Sequence, residues 1–396
     1  MKNYMKIVAV VLALVIALSA ASCSLSKDYS YKTSDTELPI GVYIYALYSA
    51  YNQAQGFAQK LDTYDSEKGT YDGKKSFLKL EITDDDGNKA TADEWIKDNA
   101  DKTMKDILAT QKLFKELGAT VDEATLSGYE QSCKEYWDYG PYYAYYGEQY
   151  KNPYKDIFEP LGVSYDSFYT ATYYNSALKE AVFDKLYTED GTKAVPEEEL
   201  TKYFTDSYTS YKYFSTNLYE SQPQNATTET GEVSQENADV AFSEEKVAEY
   251  TSAFENYAAS INAGESYKSV VERYMSDYSV ENDPTVENVE IMKDSTIGED
   301  LVAEIEKLSE GTASTKVIGE GNTAVLYLFY KEPISEQIST YIGDKDKKKA
   351  VLQSYKQEEF DNYIKEVGES LEITISSSAK NFSLSKFEQE NKTSTK

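Results

Sequence analysis

At 396 residues, 40% hydrophobic and 14% aromatic, the chain carries enough apolar material for two domains on the usual scale of roughly 100–200 residues each. Forty basic against sixty-nine acidic residues leave a net charge of −29, the wrong sign for the counterion-release attraction that holds proteins on nucleic acid. Histidine is absent, which excludes imidazole-dependent hydrolases and His-ligated zinc centres.

Residues 1–22 read as a signal peptide: Lys2 and Lys6 supply the positive start, Ile7 to Leu18 are all apolar, and Ser19 to Ser22 are small. Twelve apolar residues rise only about 18 Å as a helix against a hydrocarbon core of roughly 30 Å, too short for a permanent span. The run Leu18-Ser19-Ala20-Ala21-Ser22-Cys23 resembles the bacterial lipobox, with Ala20 where leucine is usual. That resemblance implies lipidation of Cys23 and an extracytoplasmic protein anchored to the cell membrane, since two acyl chains give stable anchoring. Cys133 then has no partner, so no intrachain disulfide is expected; with no basic neighbour but Lys134, it reads as an idle thiol.

Residues 23–37 are polar and read as a tether. Residues 38–193 read as a mainly helical domain. Leu38 to Tyr51 have the pattern of a buried helix, with some ambiguity toward strand. Phe77 to Ile82 read as a strand entering a turn at Asp84-Asp85-Asp86-Gly87-Asn88. Thr91 and Glu94 match a capping box for a helix from Ala92 to Gly118, a second helix starts near Asp122, and a third covers Ser164 to Tyr187.

A second, smaller domain is expected over 194–335. Pro196 opens a short helix, Tyr211 to Thr216 is strand-like, and 218–241 is polar and aperiodic, the pattern of a disordered, solvated loop. Helices follow around Val247 to Ile261, Tyr267 to Tyr274 and Leu301 to Leu308, and Ala324 to Tyr330 is apolar on both faces, as in a central strand. Residues 340–390 read as a last helix, from Lys347 to about Glu369, with a short strand at Leu371 to Ile375 that packs back on the N-terminal domain.

The chemistry-bearing patterns are few. Asp84-Asp85-Asp86-Gly87 lacks EF-hand spacing, because with Gly87 at position six Ile82 falls at position one, and a hairpin turn is the better account. Ser176-Ala177-Leu178-Lys179 matches S-x-x-K, but Ser76-Phe77-Leu78-Lys79 and Ser383-Leu384-Ser385-Lys386 match equally, and no K-T-G follows. No metal site and no cofactor are expected. The aromatic excess is more telling: thirteen of the thirty-eight tyrosines fall between Tyr129 and Tyr174, among them Tyr142, Tyr143, Tyr145 and Tyr146. Tyrosine combines a broad apolar face with a hydroxyl and few rotors to freeze, which suits a surface contacting many sequences weakly. Those four are the candidate peptide-binding residues; the alternatives are half-buried core tyrosines or an aromatic platform for a glycan.

The order of elements resembles the SurA/PrsA type of extracytoplasmic foldase. Ala194-Val195-Pro196-Glu197-Glu198-Glu199-Leu200-Thr201-Lys202-Tyr203-Phe204 looks like the opening of a parvulin-type prolyl isomerase domain, and Tyr274-Met275-Ser276-Asp277 is similar to a turn within it. The resemblance implies an α+β fold: a helical chaperone-like domain, a small parvulin-like domain with a few-stranded sheet wrapped by helices, and a C-terminal helix returning to the first domain. It also implies unfolded or nascent exported proteins as partners. Where parvulins carry histidines in their first and last strands, this chain has Tyr211-Lys212-Tyr213-Phe214 and Gly321-Asn322-Thr323-Ala324-Val325, and the expected glycine-rich loop reads Thr285 to Glu290. Tyr213, Asp277 and Thr323 are therefore degenerate isomerase positions, and the implied function is a holding chaperone with an inactive isomerase domain. The alternatives are an active prolyl isomerase and a glycan- or solute-binding lipoprotein.

Overall fold

The computed structural model describes residues 28–65, 70–71, 77–227 and 233–390. The expected signal segment 1–22 and Cys23 lie outside them. The fold is α+β, and the chain divides into two compact units, Met1–Ala194 with Lys356–Lys396, and Val195–Tyr355.

The first unit opens with a strand inside the segment expected to be a tether. Strand β1 (Tyr29–Lys32) pairs antiparallel with β2 (Glu37–Pro39). Tyr31 is buried and its hydroxyl donates to Asp101 at 2.8 Å, while the Ser30 hydroxyl reaches the Leu38 and Pro39 carbonyls at 3.0 Å. Helix α1 (Ile40–Gln59) follows and resolves the helix-or-strand ambiguity; its buried residues, from Gly41 to Ala58, place it at the centre of the core. At Gly41 an added Cβ would lie 2.5 Å from the Ser167 hydroxyl, so glycine permits the close approach there.

Two short hairpins follow, β3 (Tyr64–Asp65) with β4 (Thr70–Tyr71) and β5 (Glu81–Thr83) with β6 (Lys89–Thr91). The strand expected from Phe77 is a single 3₁₀ turn at Phe77–Lys79, and only the end of the segment is extended. The acidic run is the β5–β6 turn: the Asp84 carboxylate accepts the backbone N–H of Asp86 at 3.1 Å and of Asn88 at 2.8 Å. Helix α2 (Ala92–Glu116) begins at the Thr91–Glu94 capping box, and α3 (Glu123–Tyr139) at Asp122, whose carboxylate accepts from the Thr125 N–H. One turn, α4 (Tyr143–Tyr146), and α5 (Tyr154–Phe158) lead to α6 (Tyr165–Tyr169). The third expected helix is interrupted: a π-helical turn, Thr170–Tyr174, separates α6 from α7 (Asn175–Tyr187). The hydroxyl of Thr172 donates to the Phe168 carbonyl at 2.6 Å and that of Ser176 to the Thr172 carbonyl at 3.0 Å, side-chain bonds of the kind that accompany helix bends.

In the second unit, α8 (Glu197–Ser207) leads into β7 (Thr209–Asn217). The segment 218–241, expected as a disordered loop, is instead a hairpin of β8 (Tyr219–Thr227) and β9 (Val233–Ala241), in register from Tyr219↔Ala241 to Thr227↔Val233. The stretch is rich in Gln, Asn, Thr, Ser and Glu and shows no apolar alternation, so the signal that reveals most strands is missing from its sequence. Helices α9 (Glu244–Asn262) and α10 (Tyr267–Tyr278), β10 (Val286–Glu290), α11 (Glu299–Lys307), β11 (Thr312–Ile318) and β12 (Val325–Glu332) follow.

The main sheet is fully antiparallel, ordered β10-β7-β12-β11. β12 lies inside it, as its two-faced apolar sequence requires, with Leu326, Leu328 and Phe329 fully buried. One face, carrying Phe214, Leu326 and Leu328, packs on Phe254, Tyr257, Val270 and Tyr274 of α9 and α10. The opposite face carries Tyr211, Tyr213 and Phe329 and packs on Met292, Ile305 and the rest of α11.

Helix α12 (Lys345–Ser370) leaves this unit and its second half belongs to the first, where Phe360 meets Phe183 edge-on at 5.3 Å and Glu359 accepts the Tyr187 hydroxyl at 3.1 Å. Strand β13 (Thr374–Ile375) then pairs antiparallel with β1, Tyr31 opposite Ile375.

Candidate functional site

The degenerate isomerase positions do not converge. Tyr213 lies on the α11 face of the sheet, opposite Phe329 in register and 5.9 Å from the Tyr327 ring. Asp277 lies on α10, which packs on the other face, and accepts the Tyr257 hydroxyl at 2.6 Å. Thr323 is not in a strand: it ends the 3₁₀ turn Gly321–Thr323 between β11 and β12, its hydroxyl on the Glu320 carbonyl at 2.9 Å. Gly321 takes a φ of +57° in that turn, outside the extended region of a strand. Nor do the S-x-x-K residues act together, for Ser176 bonds backwards to Thr172 and Lys179 pairs with Asp106 at 2.6 Å.

The polar cluster of the sheet unit sits around Tyr211. Its hydroxyl donates to Glu290, accepts from the Asn288 amide at 2.9 Å, and shares Glu290 with the Ser295 hydroxyl at 2.7 Å. Burial, reinforced by Glu290, pushes this phenol up to about 12, so at neutral pH it is a fixed donor rather than a base. Among the described residues, no group of three potential metal-ligating side chains comes together.

The tyrosine-rich region divides cleanly. Of its thirteen tyrosines, Tyr129, Tyr136, Tyr143, Tyr154, Tyr165, Tyr169, Tyr173 and Tyr174 are half-buried, and Tyr139, Tyr142, Tyr145, Tyr146 and Tyr150 are exposed. The half-buried set takes the place of ordinary core aromatics: Tyr136 stacks on Tyr154 at 6.1 Å and Tyr154 meets Phe168 at 5.6 Å. The exposed set all lies in the segment from the end of α3 to the approach to α5. Tyr145 is 84% exposed, Tyr146 60% and Tyr142 59%. Apart from Val286, these five are the large hydrophobic side chains exposed among the described residues.

The sequence builds this loop from punctuation. Gly140 ends α3 at a φ of +86°, its N–H on the Tyr136 carbonyl at 2.9 Å, and an added Cβ would lie 2.1 Å from the Asn152 carbonyl oxygen. The Asn152 N–H then donates to the Tyr139 carbonyl at 2.9 Å, which closes the loop at its neck. Gly147, with a φ of +78°, ends the single turn of α4. Below the neck, Trp137 stacks with Phe158 at 6.4 Å and Lys155 pairs with Asp138 at 3.0 Å, so both stems are held on the core. Within the loop Tyr139 and Tyr143 stack at 4.7 Å, Tyr146 and Tyr150 meet at 5.0 Å, and the Lys151 ammonium lies 5.0 Å from the Tyr139 ring centre.

The four candidate tyrosines are thus neighbours on one loop, three exposed and Tyr143 packed under them. Tyr139, Tyr150 and Lys151 complete the patch and were not singled out from the sequence. The signal for them is the pair of dipeptides Gly140-Pro141 and Asn152-Pro153, which bracket the tyrosine run as loop boundaries. Chemically such a patch offers apolar ring faces and phenol donors, with no reacting group. Each ring that a partner covers removes roughly 100 Å² from water, worth about 2 kcal/mol before entropic costs.

No family model matches the chain. No curated protein matches it either. Among solved structures it is similar to the crystal structure of PrsA from Bacillus subtilis, at 13% identity and a TM-score of 0.26, over 74% of this chain and 93% of that one. No residue role is carried across that likeness.

Proposed function

We propose that this protein is a membrane-anchored holding chaperone for unfolded exported polypeptides, with the loop from Tyr139 to Lys151 as its contact surface. The observation that carries the proposal is the concentration of exposed tyrosines on one closed loop, in a chain whose other aromatic residues, among those described, are buried or half-buried. Held aromatics at a fixed spacing bind many sequences weakly and reversibly, and the net charge of −29 keeps the holder soluble while it is occupied. The function is read as holding rather than catalysis. Twisting an X-Pro bond over its barrier of about 18–20 kcal/mol needs polar groups gathered around one amide, and Tyr213, Asp277 and Thr323 are not gathered.

The test is a light-scattering assay of client aggregation. The protein should delay aggregation of a chemically unfolded client at equimolar ratio, and replacing Tyr142, Tyr143, Tyr145 and Tyr146 by serine should abolish most of the delay. A full delay from the quadruple variant defeats the assignment of the surface. A protease-coupled proline-peptide assay separates the enzyme reading, since only a catalyst accelerates the slow phase at substoichiometric amounts. Anchoring through Cys23 predicts that Cys23→Ser moves the protein from the membrane fraction to the medium.

A further inference from the structure

The holding surface described above has a charge as well as a texture, and the inference drawn from it rests on that reading. Residues 130–159, which comprise the loop and the helices that carry it, hold six carboxylates, Glu130, Glu135, Asp138, Glu148, Asp156 and Glu159, against three lysines, Lys134, Lys151 and Lys155. Two of the lysines are already engaged: Lys151 lies 3.5 Å from Glu148 and Lys155 lies 3.0 Å from Asp138. Glu130, Glu135, Asp156 and Glu159 remain exposed on the stems.

The loop also shows, within its own structure, how its rings receive a cation. The Lys151 ammonium sits over the Tyr139 ring, 5.0 Å from its centre, and that ring also stacks with Tyr143. The tyrosine π face is negative and attracts a cation within about 6 Å. Tyr142, Tyr145 and Tyr146, each more than half exposed, offer rings of the same kind to solvent.

We propose that the loop selects cationic segments of unfolded chains, with arginine or lysine side chains of the client laid on the open rings of Tyr142, Tyr145 and Tyr146 and steered there by the surrounding carboxylates. The occupant is an extended polypeptide rich in basic residues. Arginine is the better ligand of the two, because its planar guanidinium stacks on a ring as well as carrying charge. The long-range part of the attraction is screened by salt, and the ring contact is screened less.

The experiment uses the full chain lacking residues 1–23 and three fluorescent fifteen-residue unstructured peptides, identical except for four positions occupied by Arg, Ser or Glu. Anisotropy titration at 50 mM salt should rank them Arg over Ser over Glu, with about two- to five-fold tighter binding per engaged arginine. In the triple variant with Tyr142, Tyr145 and Tyr146 changed to leucine, the Ser peptide should still bind while the ring-dependent part of the Arg advantage is lost. These side chains are exposed, and circular dichroism checks that the variant keeps its helices. Equal affinities for the Arg and Ser peptides overturn the cation preference and leave the holding function standing. An Arg advantage unchanged by leucine overturns the role of the rings. Failure of all three peptides, together with no delay of client aggregation, overturns the holding function and this inference with it.

Discussion

Asn262 lays both ends of its side-chain amide on the backbone of Ala313: its Nδ2 donates to the Ala313 carbonyl at 3.0 Å, and its Oδ1 accepts the Ala313 N–H at 2.8 Å. Ala313 lies on β11, an edge strand of the main sheet, so a side chain at the end of α9 occupies one place of the missing neighbour strand. Edge strands invite pairing with other chains, and a contact of this kind blunts the edge. Asn262→Ala should cost about 0.5–1.5 kcal/mol in urea unfolding and raise the tendency to self-associate at high concentration. Unchanged stability with unchanged association would show that water replaces the amide without loss.

Gly140 is the hinge on which the tyrosine loop closes. Gly140→Ala places a Cβ against the Asn152 carbonyl and forces a non-glycine residue to a positive φ, at a cost above about 1 kcal/mol. Limited proteolysis should find new cleavage between residues 140 and 152, and the delay of client aggregation should shorten. A variant as protease-resistant and as active as the parent would place the closing force elsewhere.

Glu332 sets a pH dependence whose sign is fixed. Burial pushes its carboxyl up, but hydrogen bonds from Lys212, Ser210 and Gln337, at 2.9, 2.8 and 2.7 Å, outweigh burial and hold it below the ordinary value. A carboxyl held lower in the folded state than in the unfolded chain contributes stability above its unfolded value of about 4.3, and that contribution is lost as pH falls through the folded value. Stability should therefore decline more steeply below about pH 4.5 in the parent than in Glu332→Gln. Parallel pH profiles for the two proteins would remove Glu332 from the account.

Cys133 is fully buried, and burial pushes its thiol up to about 12. Native protein lacking residues 1–23 should not react with an aromatic disulfide reagent at pH 8 over the time in which unfolded protein gives one equivalent. Fast native labelling would mean that the α3 region opens readily.

Where a residue's role depends on its near neighbours, the sequence is a reliable guide. Thr91 with Glu94, Asp122 with Thr125, and the Asp84 turn act across two to four residues, and they form the expected capping box, the expected helix start and the expected turn. β12 is legible because burial on both faces leaves a continuous apolar run. Other features depend on distant partners or have no apolar pattern to read. β1 is four residues long and is ordered by pairing with β2 and with Thr374–Ile375, so its composition reads as a tether. β8 and β9 pair with each other along a polar ribbon, and Thr323, expected in a strand, turns the chain instead. The tyrosines are the instructive case: one residue type serves as core at Tyr154 and as surface at Tyr145, because its ring suits burial and its hydroxyl suits water. Composition gives the excess, but only the fold decides which rings face outward.

The pairing of Tyr31 with Ile375 also governs the timing of assembly. The ribosome finishes β1 hundreds of residues before it makes β13, and the whole of Val195–Tyr355 is synthesised in between. A strand that waits so long for one of its neighbours, like a helix α7 that waits for Phe360, belongs to a unit that cannot finish folding while it is being made. The inserted unit holds its own sheet and core and is free to fold first. A protein whose proposed role is to keep other chains from aggregating thus passes through a stage in which its own N-terminal half is an unfinished chain.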